Sequence, residues 1–228
     1  MTRFLPAIEH QLQTARSRTG IVRQAVTEDL PRIAAIHRSA FSQFFLTRMG
    51  SEFLHRYYGL LLRYPKGIVL ISEFSGVVEG FVGGFLDPAE FYALMRRNRQ
   101  MFVLPTLAAL IRRPSLARGV FDAVQRIQTA AAEEPTRSCE LCSVAVAPEA
   151  GGMGLGKALV QAFLEWAWSM DARRVYLTTD ADANEHANAL YRTTGFQLNR
   201  RFRQRKGRWM NEYILWRSGP ARNSGMCP

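Results

Sequence analysis

The residues from Val144 to Val160, VAVAPEAGGMGLGKALV, combine types and spacing suited to holding a phosphate. An apolar strand, Leu141 to Val146, runs into Gly151, Gly152, Gly154 and Gly156. An amphipathic helix follows, with Leu155, Leu159, Phe163, Ala167 and Met170 on one side at i, i+4 spacing. Glycines between a strand and a helix let backbone amides approach a ligand, and the helix dipole adds positive potential there. Two phosphate loops are excluded by single residues. Gly151, Gly156 and Lys157 fit a nucleoside-triphosphate loop, but Ala158 stands where a magnesium-holding hydroxyl is required. A dinucleotide fingerprint begun at Gly152 and Gly154 would need glycine at Lys157.

A second run lies one strand further on, Asn184 to Phe196, NEHANALYRTTGF. Together the two runs resemble the GNAT N-acetyltransferases. That family's turn, [R/Q]-x-x-G-x-[G/A] after a strand ending V-x-P, is matched by Val146, Pro148, Gly154 and Gly156, with Gly151 departing at the first position. Its signature N-x-x-A-x-x-L-Y-x-x-x-G-F is matched by Asn184, Ala187, Leu190, Tyr191, Gly195 and Phe196. The resemblance covers residues 20 to 85 loosely and 139 to 216 well. Finer likenesses at Phe45-Leu-Thr, Phe53-Leu and Leu177-Thr-Thr-Asp180 are to bacterial acetyltransferases met near polysaccharide-building enzymes.

The resemblance implies an α/β GNAT fold, a mixed sheet of six to seven strands flanked by helices, and acetyl-CoA as cosubstrate. It places the pantetheine arm along Val144, Ala145 and Val146. The pyrophosphate falls to the turn Gly151, Gly152, Met153, Gly154, Leu155, Gly156 and Lys157, and Asn184 and Ala187 complete the cofactor contacts. It makes the Tyr191 phenol the acid that protonates the departing sulfur. Read from spacing alone, Ala187 and Tyr191 are a buried helical stripe. Some family members carry a base glutamate where Glu140 stands, and a surface carboxylate at a strand end is the plainer reading. Ribosomal-protein alanine acetyltransferases have Glu five residues before the signature Asn. Here that residue is Thr179, which leaves Asp180 as second base candidate. The implied reaction is direct transfer to a primary amine, of an amino sugar or sugar nucleotide by preference, with a protein N-terminus as the alternative acceptor.

A chain of 228 residues can bury one sizeable core. Its formal charge of +11 is carried by arginine, with lysine only at 66, 157 and 206, and favours anionic company. Arg200, Arg201, Arg203, Arg205, Lys206 and Arg208 around Phe202 and Trp209 offer a nucleic-acid reading, but strand alternation divides those charges between two faces. Nucleic acid is therefore not the expected partner, and a homodimer is compatible. Cys139 and Cys142 have C-x-x-C spacing, which on a strand turns them to opposite faces, so no metal site is expected. No signal-peptide pattern or stretch of about 20 apolar residues is visible, and a cytoplasmic protein is expected.

Four groups of elements must position these residues. After a polar lead, 1–19, a strand at Ile21–Ala25 precedes a helix capped by Thr27, with Leu30, Ile33, Ala34, His37 and Phe41 on one face. His37 on that stripe reads as a core histidine before a catalytic one. A helix from Gly50 to Arg63 and a hairpin, Gly67–Phe74 with Val77–Phe85 across Ser75-Gly76, come next. Gly80, Gly83 and Gly84 mark a bulge or a close approach of substrate. Residues 86–138 read as helices inserted into a single domain spanning 20–217. There Met101 to Ile111 either caps the core or, with the basic residues of 101–118, meets a membrane surface. After the cofactor motifs, a hairpin across Lys206-Gly207 closes the chain before a Gly/Pro/Ser-rich tail, 218–228, expected to be disordered, and His186 is expected to face solvent.

Overall fold

The structure, a computed structural model, describes residues 20–42, 44–129, 137–204 and 207–217. The lead 1–19, the tail 218–228, Arg205 and Lys206 lie outside them. Seven strands form one sheet: β1 (Ile21–Gln24), β2 (Gly67–Phe74), β3 (Val77–Leu86), β4 (Ser138–Val146), β5 (Arg174–Asp180), β6 (Gln197–Arg203) and β7 (Trp209–Trp216). Their order is β1-β2-β3-β4-β5-β7-β6. Every neighbouring pair is antiparallel except β4 and β5. This is the mixed sheet the sequence leads one to expect.

Two helical layers cover the sheet. On one face α1 (Leu30–Ala40) and α3 (Ser51–Arg63), joined by the short α2 (Phe45–Met49), pack on β2, β3 and β4. The α1 stripe is buried at Leu30, Ile33, Ala34 and His37, and α3 buries Leu54, Tyr58 and Leu61 completely. Each such side chain contributes roughly 1.5–3 kcal/mol. On the opposite face lies α7 (Leu155–Ser169), with Leu155, Leu159, Phe163 and Ala167 inward. The later helix α8 (Glu185–Thr193) adds Tyr191 to the same core. It ends on Gly195, φ 95°, with Phe196 N–H donating back to Tyr191 O at 3.0 Å.

The cap of α1 differs from expectation. Thr27 opens a 3-10 turn, Thr27–Asp29, and Asp29 takes the N-cap position of α1 without a side-chain bond to that helix, its Oδ2 instead accepting Val26 N–H at 2.8 Å. Asp29 also receives Arg23, whose Nε reaches Glu73 on β2, so this corner is fixed by a shared guanidinium.

Between β3 and β4 the chain makes an excursion through α4 (Pro88–Arg97), α5 (Gln100–Arg112) and α6 (Ala117–Thr129). Its ends are clasped together: Asp87 N–H donates to Ser138 O at 2.9 Å, and Asp87 Oδ1 accepts Arg137 N–H at 3.1 Å. Helix α5 contains Pro105, which leaves Met101 O without its helical donor, and Arg56 of α3 supplies one instead. Phe102, Pro105 and Ala109 turn inward toward α3, so this face of α5 caps the core as expected.

The β3 glycines serve packing and a bulge, and the close-approach-of-substrate reading falls away. Opposite Gly83 and Gly84 the register slips so that Cys142 is an extra residue on β4. A Cβ on Gly84 would lie 2.2 Å from Glu140 O and 2.5 Å from the Phe163 ring, and one on Gly80 would lie 3.0 Å from Leu159. Helix α7 therefore rests directly on glycine backbone.

Two stability predictions follow from this packing. Gly84→Ala should lower the unfolding free energy by about 3 kcal/mol or more in urea melts, through overpacking against a strand that cannot yield. Gly76→Ala, at φ 80° with nothing within 4 Å, should lower it by only about 1 kcal/mol, and equal losses would refute the packing argument. His37 is buried with Nε2 unpartnered, and burial lowers its pKa from 6.5 to about 4. The unfolded chain thus takes up a proton that the folded chain refuses. Stability should be intact above pH 6.5 and fall by about 3 kcal/mol as pH drops toward 4, a slope that His37→Phe should flatten.

Candidate active site

Strand β4 is hydrogen-bonded to β3 along its length but to β5 at one end only. Ser138, Cys139 and Glu140 oppose Arg174, Val175 and Tyr176, and the ladder stops there. From Leu177 to Asp180, β5 stays paired with β7 instead. The two parallel strands thus part as a V with Glu140 and Tyr176 at its apex. The β5-facing edge of Leu141 to Val146 is left without a sheet partner, backbone that needs hydrogen bonds from elsewhere.

Both connections at the open end of the V lead into helix N-termini. After β4 a 3-10 turn, Pro148–Ala150, runs into Gly152 (φ 79°) and Gly154 (φ 78°), and Gly154 is the N-cap of α7. No side chain caps that terminus, so the amides of Leu155, Gly156 and Lys157 have no partner within the helix. Nothing lies within 4 Å of a Cβ on Gly152; its backbone conformation, rather than space, calls for glycine. Gly151 (φ −61°) is exposed beside the exposed Met153. Gly156 lies where α7 approaches α8, with Leu190 at 3.5 Å from its Cβ position.

After β5, Asn184 precedes α8 and donates through Nδ2 to Thr179 Oγ1 at 2.7 Å. Thr179, where the alanine acetyltransferases have glutamate, therefore orients the signature asparagine. Asn188 was not singled out in the sequence, yet it is the polar hub here. Its Nδ2 donates to Asp180 O and Asn184 O, and its Oδ1 accepts from Asn211 and Tyr213 at 2.9 Å. The only signal was a polar residue four after Asn184 on a face otherwise apolar. Ala187 is half-buried on the same helix, and His186 is exposed as expected.

Tyr191 is buried between the rings of Phe196 and Tyr213. Its hydroxyl has no hydrogen-bond partner among the described residues. Burial raises its pKa, so the phenol stays protonated. The stripe reading and a free hydroxyl thus hold together.

Glu140 is not a surface carboxylate. It is buried on the opposite sheet face from Tyr191, where Tyr92 of α4 donates to Oε1 at 3.2 Å and Oε2 at 3.0 Å, and Tyr176 donates to Oε2 at 2.9 Å. Neither phenol was legible in the sequence, because one comes from the excursion. Asp180 sits at the end of β5 in a bidentate ion pair with Arg208, which itself lies 4.8 Å over the Phe44 ring. Both of its oxygens are committed to that guanidinium, which argues against it as a base. Phe44, Asp180, Asp182, Gly207, Arg208 and Trp209 line an open cleft at this end of the sheet.

The basic hairpin is largely internally paired. Arg200 meets Glu212, Arg201 meets Asp182, Arg208 meets Asp180, and Arg203 donates to Gly207 O. Cys139 and Cys142 belong to opposite cores. The Cys142 thiol donates to Gly83 O and is pushed up to about 12 by burial, which leaves it protonated and poorly nucleophilic. Among the described residues no group of three His, Cys, Asp or Glu could hold a metal ion.

Comparison with known proteins agrees with this geometry. Residues 115–196 match the model of the Acetyltransferase (GNAT) family. A mycothiol acetyltransferase of Pseudarthrobacter chlorophenolicus is 49% identical over 57 residues, which is 25% of this chain and 17% of that protein. The match therefore spans about a sixth of the relative's length. Among solved structures, a ribosomal-protein-alanine N-acetyltransferase of Brucella melitensis superposes with a TM-score of 0.58 at 20% identity, covering 86% of this chain and 99% of that one. A Salmonella typhimurium protein solved with its cofactor acetyl-CoA gives 0.57 at 16% identity, covering 90% and 98%. At such identities the structural likeness speaks to the fold. The family match takes in the glycine turn and the signature helix, so over residues 115–196 the chain is similar to the GNAT acetyltransferases, and its fold is theirs.

Proposed function

We propose that this protein transfers the acetyl group of acetyl-CoA to the primary amine of a small molecule. The observation that carries this reading is the parting of β4 from β5 beyond Glu140, directly before an uncapped glycine turn. An unpaired strand edge suits the amides of an extended pantetheine arm, and a helix mouth suits a pyrophosphate. Val144, Ala145 and Val146 would supply that edge, and the turn from Gly151 to Lys157 the amides. Acetyl-CoA, when bound, supplies the acyl group on an activated thioester.

The remaining work falls to side chains of this chain. Glu140, kept in place by two phenols, takes the proton from the incoming ammonium, directly or through one bridging hydroxyl or water. Tyr191 would offer its hydroxyl to the departing sulfur from the other core. A phenol with a raised pKa is a weaker acid than a thiol, so its contribution is a hydrogen bond that strengthens as thiolate charge develops.

The cleft at Phe44, Asp182 and Trp209 supports a small cationic acceptor. Its walls are guanidinium–carboxylate pairs and aromatic rings, polar edges and flat faces that suit a sugar-like amine. Arg208 beside them would favour an acceptor that also carries phosphate, as a sugar nucleotide does.

Thiol release measured over a panel of amines tests the reading. Tyr191→Phe should lower kcat by roughly 10–100-fold with acetyl-CoA affinity unchanged; full activity in this variant would remove Tyr191 from the mechanism. Glu140→Gln should slow the reaction most at low pH. Tyr92→Phe removes one of the phenols that seat the carboxylate, so kcat should fall while acetyl-CoA affinity is unchanged. An unchanged pH profile in Glu140→Gln would mean that Glu140 is not the base.

A further inference from the structure

We propose that the outer face of α5, with the adjoining face of α6, docks this protein on an anionic phospholipid surface. Helix α5 has two apolar sides. Phe102, Pro105 and Ala109 face the domain, while Val103, Leu104, Leu107 and Ile111 face solvent, Leu104 at 70% and Ile111 at 81% exposure. Phe121 and Val124 of α6 extend the exposed set. Between Gln100 and Ile111 the helix carries no charged residue, so nothing on this surface competes with insertion into an apolar medium. Contiguous apolar surface of this kind marks a contact site rather than ordinary solvent exposure.

Charge names the occupant. From Arg96 to Val124 the chain has six arginines, Arg96, Arg97, Arg99, Arg112, Arg113 and Arg118, against one acid, Asp122. All six are exposed, three before the apolar stretch and three after it. An apolar strip between guanidinium clusters matches the layering of a lipid interface: side chains among acyl chains, guanidinium forks on phosphates, and long stems spanning the two levels. A second copy of the chain is a poorer occupant, since symmetric pairing of these faces would bring the arginine borders together. The face also belongs to the substrate side of the fold: α5 packs on α2, and α2 follows directly from Phe44 of the cleft. Among the described residues no helix is long and apolar enough to cross a membrane, so the contact is one of surface attachment.

Flotation of the full chain with phosphatidylcholine vesicles, with and without phosphatidylglycerol, tests the proposal. The protein should float with the phosphatidylglycerol vesicles, less at high salt, and remain in solution with pure phosphatidylcholine. The double substitution Leu104→Glu with Ile111→Glu should reduce partitioning by about tenfold or more while leaving the melting temperature unchanged. No flotation of the wild type with anionic vesicles would overturn the proposal. Undiminished flotation of the double variant would overturn it as well, by assigning binding to charge elsewhere on the chain. A wild-type dimer in light scattering that the double variant converts to monomer would make a second copy the occupant instead.

Discussion

The hydrogen-bond ladder between β4 and β5 ends after three residue pairs, and the rest of the site depends on that interruption. Two adjacent parallel strands gain by remaining paired, because each unpaired buried amide or carbonyl is costly. Here β4 is held by β3 and β5 by β7, so each keeps its outer partner while losing the inner one. The inner edges are left open, with the loops leaving them on either side.

What keeps the slot open is packing on both sides of it. The bulge at Cys142 bends β4, and the glycines of β3 let α7 settle against the sheet at Leu159 and Phe163. That close seating sets where the mouth of α7 points. On the β5 side, Asn188 joins the end of β5, the start of α8 and strand β7 through four hydrogen bonds. A fully satisfied buried amide of this kind fixes geometry more sharply than apolar contact does. Tyr191, one helical turn on, inherits its position from that anchor.

The excursion between β3 and β4 joins the site to the surface. Tyr92 of α4 reaches the Glu140 carboxylate, while α5 caps α3 with one face and presents the other to solvent. One segment thus supplies a hydrogen bond at the apex of the V and the most apolar exposed surface of the described chain. Charge is divided in the same way. The arginines of the β6–β7 hairpin meet Asp180, Asp182 and Glu212, whereas those around α5 outnumber the acids of their segment and border an apolar strip.

Sequence alone determined the features that depend on local chemistry. The glycine turn, the amphipathic α7 and the Gly195 helix end follow from residue type and period, since each is decided within one or two turns of chain. The two motifs also located Tyr191 and Asn184. Tertiary structure decided what depends on residues far apart in the chain: Glu140 turned from a strand-end carboxylate into a buried one because Tyr92 and Tyr176 fold over it, and Asp180 was committed to Arg208 across a hairpin. The β3 glycines likewise took their meaning from Phe163 and Leu159, some 80 residues away. Periodicity reports which face of an element is apolar, but not which distant hydroxyl or guanidinium arrives at its polar atoms, and that arrival sets the surroundings of each carboxylate.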